Sequence, residues 1–198
     1  MGKQMHGLLP DQANAVLVVL DMISDFQFPD GTQLQRAARR IAPRIARLKK
    51  RAKQAGVACV YINDNPSRWR SDSSALIAHS GEPGSRGAEI VECLRPEASD
   101  YFILKPRHSA FYATPLEVLL GHLGARRLIL TGVSSHQCVL FTANDAHVRN
   151  FEVIVPSDCV ASPTPAETRF ALHYFRTVLG ARVSLSTKLR PAALNRPP

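Results

Sequence analysis

Three residues of the 198-residue chain sit at or just beyond the ends of apolar runs and carry reactive side chains. Asp21 closes "AVLVVLD", Lys105 closes "YFILK", and Cys138 lies a few residues past "RLILTG", within "TGVSSHQC". A carboxylate, an ammonium and a thiol are the parts of an acyl-transfer site. A thiol attacks carbonyl carbon as thiolate, and a free thiol titrates near ~8.5. A nearby ammonium and the positive end of a helix favour that anion. A carboxylate takes the thiol proton and later returns it to a leaving amine. The backbone N–H groups of Ser134 and Cys138 are candidates for an oxyanion hole, where losing one donor typically costs about 10²–10³ in rate. The set suits transfer of an acyl group from an amide to water. Taken singly, each residue has a plainer reading. An Asp ending a strand caps a loop, a Lys there is solvated, and a helical Cys packs as a small hydrophobe. Their joint placement is what argues for chemistry.

That placement depends on the elements between them. "AVLVVLD" (15–21) is too short for a helix, rich in β-branched residues and apolar throughout, the pattern of a strand buried on both faces. A basic helix follows over about 32–55, with Pro43 expected to kink or restart it and Gly56 to stop it. Further strands are read at 57–63, 101–105, 127–132, 151–158 and 181–186. Helices are read at 114–124, 135–150 and 164–180, two of them opened by Thr-Pro pairs. The stretch 64–100 is irregular, with one or two short helices. Alternating strands and helices predict an α/β fold: a doubly wound, mostly parallel six-stranded sheet with helices on both faces. Ligands of such sheets bind beyond the carboxyl ends of the strands, where Asp21, Lys105 and Cys138 fall. One domain is expected over 1–198, with a core of about 15–186 and a loose Pro-rich tail, 187–198.

Composition narrows the function classes. The chain carries 25 Lys+Arg against 16 Asp+Glu, a net charge of +9. Much of the excess lies in "RAARRIAPRIARLKKRAK", where Ala38, Ile41, Ile45, Leu48 and Ala52 form an apolar stripe and the cations fill the other positions. A solvated helix face accounts for it, and no nucleic-acid motif supports a nucleic-acid partner. No apolar run approaches a membrane span, and "MGKQMHGLLP" lacks a signal core. Four cysteines with no C-x-x-C pair fit a reduced, cytoplasmic protein. No Gly-x-Gly-x-x-Gly or P-loop is present, so no nucleotide cofactor is implied, and "GVSSH" is not a serine-hydrolase elbow.

The blocks "LVVLDMISDF", "LKPRHSAF" and "LILTGVSSHQCV", in this order and spacing, resemble the isochorismatase-like cysteine hydrolases. That superfamily includes nicotinamidases, ureidoacrylate amidohydrolases and N-carbamoylsarcosine amidases. The resemblance runs from about Ala15 to Val183. It implies a six-stranded doubly wound sheet, an Asp–Lys–Cys triad at Asp21, Lys105 and Cys138, and a cis peptide at Val133–Ser134. It also implies a homo-oligomer, a dimer or tetramer, acting on a small-molecule substrate. Nicotinamidases hold a metal through an Asp-x-His motif and a later His. Here "NDNPSRW" supplies Asp64 without the His, and His79 alone is no substitute, so no metal and no other cofactor is expected. Phe26, Trp69 and Phe111 are candidates for an apolar substrate wall. Arg107 and His108 are placed to meet a substrate carboxylate. His136, where the family has a different residue pair, either lines the pocket or caps the helix. Cys59 and Cys93 are read as packing residues. The expected activity is hydrolysis of a C–N bond in a small amide, carbamoyl or ureido compound. The alternatives are vinyl-ether hydrolysis with Asp21 as the acid, which needs no cysteine, and a non-enzymatic nucleic-acid or protein-binding module.

Overall fold

The computed structural model of the chain describes residues 12–65 and 72–196. Seven strands form one sheet: β1 (Ala15–Leu20), β2 (Ala58–Asp64), β3 (Tyr101–Lys105), β4 (Arg127–Val133), β5 (Glu152–Pro156), β6 (Val160–Ala161) and β7 (Arg182–Ser184). The order across the sheet is β3-β2-β1-β4-β5-β7, and every pairing is parallel. β6 is the strand the sequence reading lacks. β5 pairs with β4 only as far as Ile129, and β6 takes over opposite Gly132 and Val133.

All six residues of β1 are buried. Ala15, Leu17 and Val19 face one core with Ala38, Ile41, Ile45 and Leu48 of helix α1 (Gly31–Gln54). Val16, Val18 and Leu20 face a second core. Helices α4 (Leu116–Leu123), α5 (Leu140–Val148) and α6 (Pro165–Thr177) cover that side. A strand buried on both faces has no polar alternation to keep, which is why its sequence is a continuous apolar run. Two short helices, α2 (Ser73–Ser80) and α3 (Ala88–Cys93), interrupt the stretch between β2 and β3. Asp72 caps α2 by accepting from the Ala75 N–H at 2.8 Å.

Two local expectations are corrected. α1 runs unbroken through Pro43. The proline lies on the exposed face, so the carbonyl it leaves unpaired meets solvent, and the Arg44 guanidinium donates to the Arg40 carbonyl at 3.1 Å. The tail is not loose over 187–196. Leu189 and Leu194 are buried, the latter in helix α7 (Pro191–Leu194). Arg51 donates to the carbonyls of Leu189 and Ser186, and Asn195 accepts from Ala15 N–H and donates to the Ala55 carbonyl. Proline content misled here, because two leucines and an asparagine do the docking.

The chain goes from β1 outward to β2 and β3, then returns to the other side of β1 as β4. The strand order therefore reverses between β1 and β4, which opens a crevice at their carboxyl ends. Gly132 permits the close approach there. Its φ is +105°, and a Cβ added to it would stand 2.0 Å from the Leu20 carbonyl oxygen. Gly132→Ala is expected to lower unfolding free energy by about 3 kcal/mol or more. Gly121→Ala, in open space on α4, should be neutral or stabilising by up to about 1 kcal/mol. Urea denaturation of the two variants checks the contrast.

Candidate active site

Asp21 is the first residue past β1. It takes a left-handed backbone (φ 52°), and its N–H is held by the Ile62 carbonyl at 2.9 Å. Aspartate tolerates this conformation better than most residues. Its Oδ1 accepts from the Asp64 N–H at the end of β2 at 2.9 Å. Oδ2 stands 3.0 Å from Lys105 Nζ as an ion-pair contact without hydrogen-bond geometry. Lys105 ends the edge strand β3, in register with Asp64. It is fully buried, and its ammonium reaches Asp21, Asp64 and Cys138, donating to Cys138 Sγ at 3.5 Å. Cys138 lies in a single π-helical turn, Ser135–Val139, between β4 and α5, so it comes one turn before the regular helix. The Val133–Ser134 peptide that enters this turn is cis. The three residues singled out by strand ends are thus brought into contact.

Their electrostatics follow from burial and from each other. Burial pushes the Asp21 carboxyl up, and Lys105 only partly offsets it. Burial opposes the Lys105 ammonium, but Asp21, Cys138 and Asp64 outweigh it and hold its pKa above the ordinary value. Burial and the Asp21 carboxylate push the Cys138 thiol well up, against the pull of Lys105. One ammonium already faces two carboxylates, so a thiolate would add a further uncompensated charge. At rest the Cys138 side chain is therefore held as the thiol.

A cavity of about 600 Å³ opens above these groups. Phe26, Phe28, Leu34 and Leu76 make much of its wall, and Phe26 is where the sequence reading put it. Trp69 lies outside the described residues. Phe111 is not in the wall. It is buried in the core beside Phe151, with the Arg149 guanidinium 4.8 Å over its ring. The reason is the turn after β3, where Ser109 Oγ accepts the Phe111 N–H and sends the ring under the sheet. Arg107 is exposed and does not line the cavity. His136 neither lines it nor caps its helix. Its Nδ1 lies 2.8 Å from Ser134 Oγ and 2.9 Å from Ser162 Oγ, behind the turn that carries Cys138. His108 does line the cavity, with Nδ1 3.9 Å from Cys138 Sγ. Sequence reasoning weighed His79 only as a metal ligand and missed Asp25, which it faces across the wall at 3.0 Å. They are separated by 54 residues and carry no local pattern.

Asp21, Asp64 and Cys138 bring ligand-type atoms within 4.8 Å of one another. The Lys105 ammonium contacts all three, so a cation already occupies the centre of that donor set. Asp64 pairs with Lys105, His79 pairs with Asp25, and position 66 is Pro where an Asp-x-His motif needs His. These residues do not fit a metal site of the nicotinamidase type.

Comparison with known proteins gives the chain's relatives. The isochorismatase domain family profile matches residues 15–187. The uncharacterized isochorismatase family protein YaaI of Bacillus subtilis is 36% identical over 178 residues, covering 90% of this chain and 97% of that protein. Enterobactin synthase component B of Escherichia coli is 33% identical, over 76% of this chain and 53% of its own length. Among solved structures, the N-carbamoylsarcosine amidase of Thermoplasma acidophilum aligns with a TM-score of 0.66 and 30% identity. That alignment covers 89% of this chain and 98% of the amidase.

The electrostatics predict how Cys138 responds to pH. Alkylation by iodoacetamide, mapped by peptide mass spectrometry, should rise with pH to a midpoint above the ~8.5 of a free thiol. Asp21→Asn removes an anion beside the sulfur, favours the thiolate and should move that midpoint down by about one unit or more. A midpoint that stays put or rises would contradict the charge balance described above.

Proposed function

Because the chain belongs to the isochorismatase family, we propose that it is a cysteine hydrolase cleaving the C–N bond of a small amide, carbamoyl or ureido compound. The observation that carries this reading is the buried contact of Cys138 Sγ with Lys105 Nζ at 3.5 Å, beside an Asp21 whose Oδ2 makes no hydrogen bond of good geometry. A sulfur kept only for packing has no use for a buried ammonium.

In the proposed reaction the substrate carbonyl enters the cavity above Cys138. Asp21 takes the thiol proton as the sulfur attacks, so the site never carries a free thiolate beside two carboxylates. The backbone N–H groups of Ser134 and Cys138 hold the oxyanion. Asp21 then hands the proton to the departing nitrogen, ammonia or an amine leaves, and a thioester remains on Cys138. Lys105 keeps its charge throughout and balances Asp21, Asp64 and the sulfur. Water hydrolyses the thioester. No step uses a metal.

A second reading has one observation in its favour. Burial holds the Asp21 carboxyl above the ordinary carboxylate range, which suits an acid that protonates a vinyl ether. That chemistry needs no sulfur.

One experiment separates the two. Ammonia and pyruvate release are followed over a panel of small amides, ureido acids and isochorismate, for the wild type and two variants. Cys138→Ala should lose amide turnover by about 10³-fold or more, and Asp21→Asn by about 10²–10⁴-fold. Pyruvate release that survives Cys138→Ala would overturn the cysteine mechanism in favour of the vinyl-ether reaction.

A further inference from the structure

The candidate oxyanion donors, the N–H groups of Ser134 and Cys138, stand at the two ends of the segment 134–138. Such donors act only while they point at the place where the carbonyl oxygen becomes negative, ~2.7–3.1 Å away. Whatever holds the shape of this segment therefore bears on the rate of acylation. Part of the hold is local: the Ser134 carbonyl accepts from the N–H groups of Gln137 and Val139 at 3.1 and 3.2 Å. The rest converges on one atom outside the segment.

That atom is the hydroxyl oxygen of Ser162, the residue after β6. The His136 N–H donates to it at 3.2 Å and the Ser134 hydroxyl at 3.3 Å. The Ser135 hydroxyl meets it too, and the His136 Nδ1 lies 2.9 Å away. A hydroxyl has one hydrogen and two lone pairs, so these partners take up all the bonding capacity of this oxygen. Ser162 is itself fixed from two layers. β6 pairs with Gly132 and Val133 of β4, and the Ser162 N–H donates to Thr168 Oγ1 on α6 at 3.0 Å. Ser162 is 2% exposed and Ser135 fully buried, so bulk water does not stand in for these bonds.

We infer that Ser162 is a positioning residue for acylation, its hydroxyl holding residues 134–136 so that the N–H groups of Ser134 and Cys138 converge on the substrate's carbonyl oxygen; this rests on the cysteine-hydrolase reading above. Ser162 does not line the cavity, so it acts through the segment and not on the substrate. Without its oxygen, the His136 N–H and the Ser135 hydroxyl lose a partner in a dry place, and the segment must shift to satisfy them. The shift moves the oxyanion donors. Asp21 and Lys105 are held elsewhere, by the Asp64 N–H and by their ion pairs at the strand ends. Attack of the sulfur on a carbonyl carbon therefore suffers, while a reaction of the same sulfur that makes no oxyanion does not.

Two reactions of Cys138 isolate that difference. With p-nitrophenyl acetate the sulfur bonds to the carbonyl carbon as Asp21 takes the thiol proton, the carbonyl oxygen becomes negative, and p-nitrophenolate leaves. With methyl methanethiosulfonate the sulfur bonds to sulfur, methanesulfinate leaves, and no carbonyl takes part. The first is read as a p-nitrophenolate burst that Cys138→Ala lacks, the second by mass spectrometry of the Cys138 peptide. Ser162→Ala should slow acetylation by about tenfold or more and keep the thiosulfonate reaction within about twofold. Ser162→Thr and Ser162→Val add similar bulk and differ in the hydroxyl. The Thr variant should acetylate about tenfold faster than the Val variant, a comparison that decides the matter if Ser162→Ala does not fold. A wild type with no Cys138-dependent burst overturns the cysteine-hydrolase reading and this inference with it. Three results with a normal wild-type burst overturn the role of Ser162 alone: acetylation unchanged in Ser162→Ala, both reactions slowed equally, or Thr and Val variants that acetylate alike.

Discussion

A fully buried ammonium cannot stand alone. Removing one charge from water without a partner costs several kcal/mol, more than most single contacts return. Lys105 is such a group, and its partners come from different places: Asp21 after β1, Asp64 at the end of β2, and Cys138 in the turn after β4. The four ends must therefore close together for the site to be stable at all. The parallel sheet makes this possible because it delivers every strand's carboxyl end to one edge. The candidate site and the closure of the sheet's edge share the same ion cluster.

Behind Cys138 lies a second polar assembly, of hydroxyls and an imidazole. Ser162 Oγ meets Ser134, Ser135 and the His136 ring, and accepts the His136 N–H. Ser162 N–H donates to Thr168 on α6, whose first turn is closed by the reciprocal Thr164–Glu167 cap. These bonds satisfy the backbone where β4 gives way to a π turn, a geometry that leaves ordinary helical partners unmade. The extra two-residue strand β6 exists at the same place and delivers Ser162 there. The turn is thus held from the helix layer, while Lys105 holds the sulfur from the sheet.

The strands, their parallel order and the convergence of Asp21, Lys105 and Cys138 were legible because they depend on period and position. An apolar run ends where a strand ends, and side chains just past it share an edge. Phe111 and His136 were misread because their side-chain directions depend on turns: an Ser109 hydroxyl in one case and a Ser162 hydroxyl in the other. Asp64 carried a motif expectation, yet its pairing with Lys105 follows from register between β2 and β3, which no single stretch displays. The Asp25–His79 contact joins segments with no common pattern. The docked tail escaped because composition describes a segment's average, and docking there depends on Arg51 and Asn195 meeting particular carbonyls.

The clasp at the far end of the sheet bears on how the chain assembles during synthesis. Asn195 bonds the first residue of β1 and Ala55, just past the end of α1, at once, and Arg127 at the start of β4 holds the carbonyl of Leu194. Residues 15–55 are made early, but their shared anchor emerges only after residue 195 has left the ribosome. β1 also lies between β2 and β4, so it is flanked on both sides only when chain more than a hundred residues later has appeared. The nascent chain therefore carries an open, apolar strand edge until β4 has emerged, the kind of edge that folding helpers bind and that aggregates when they are scarce.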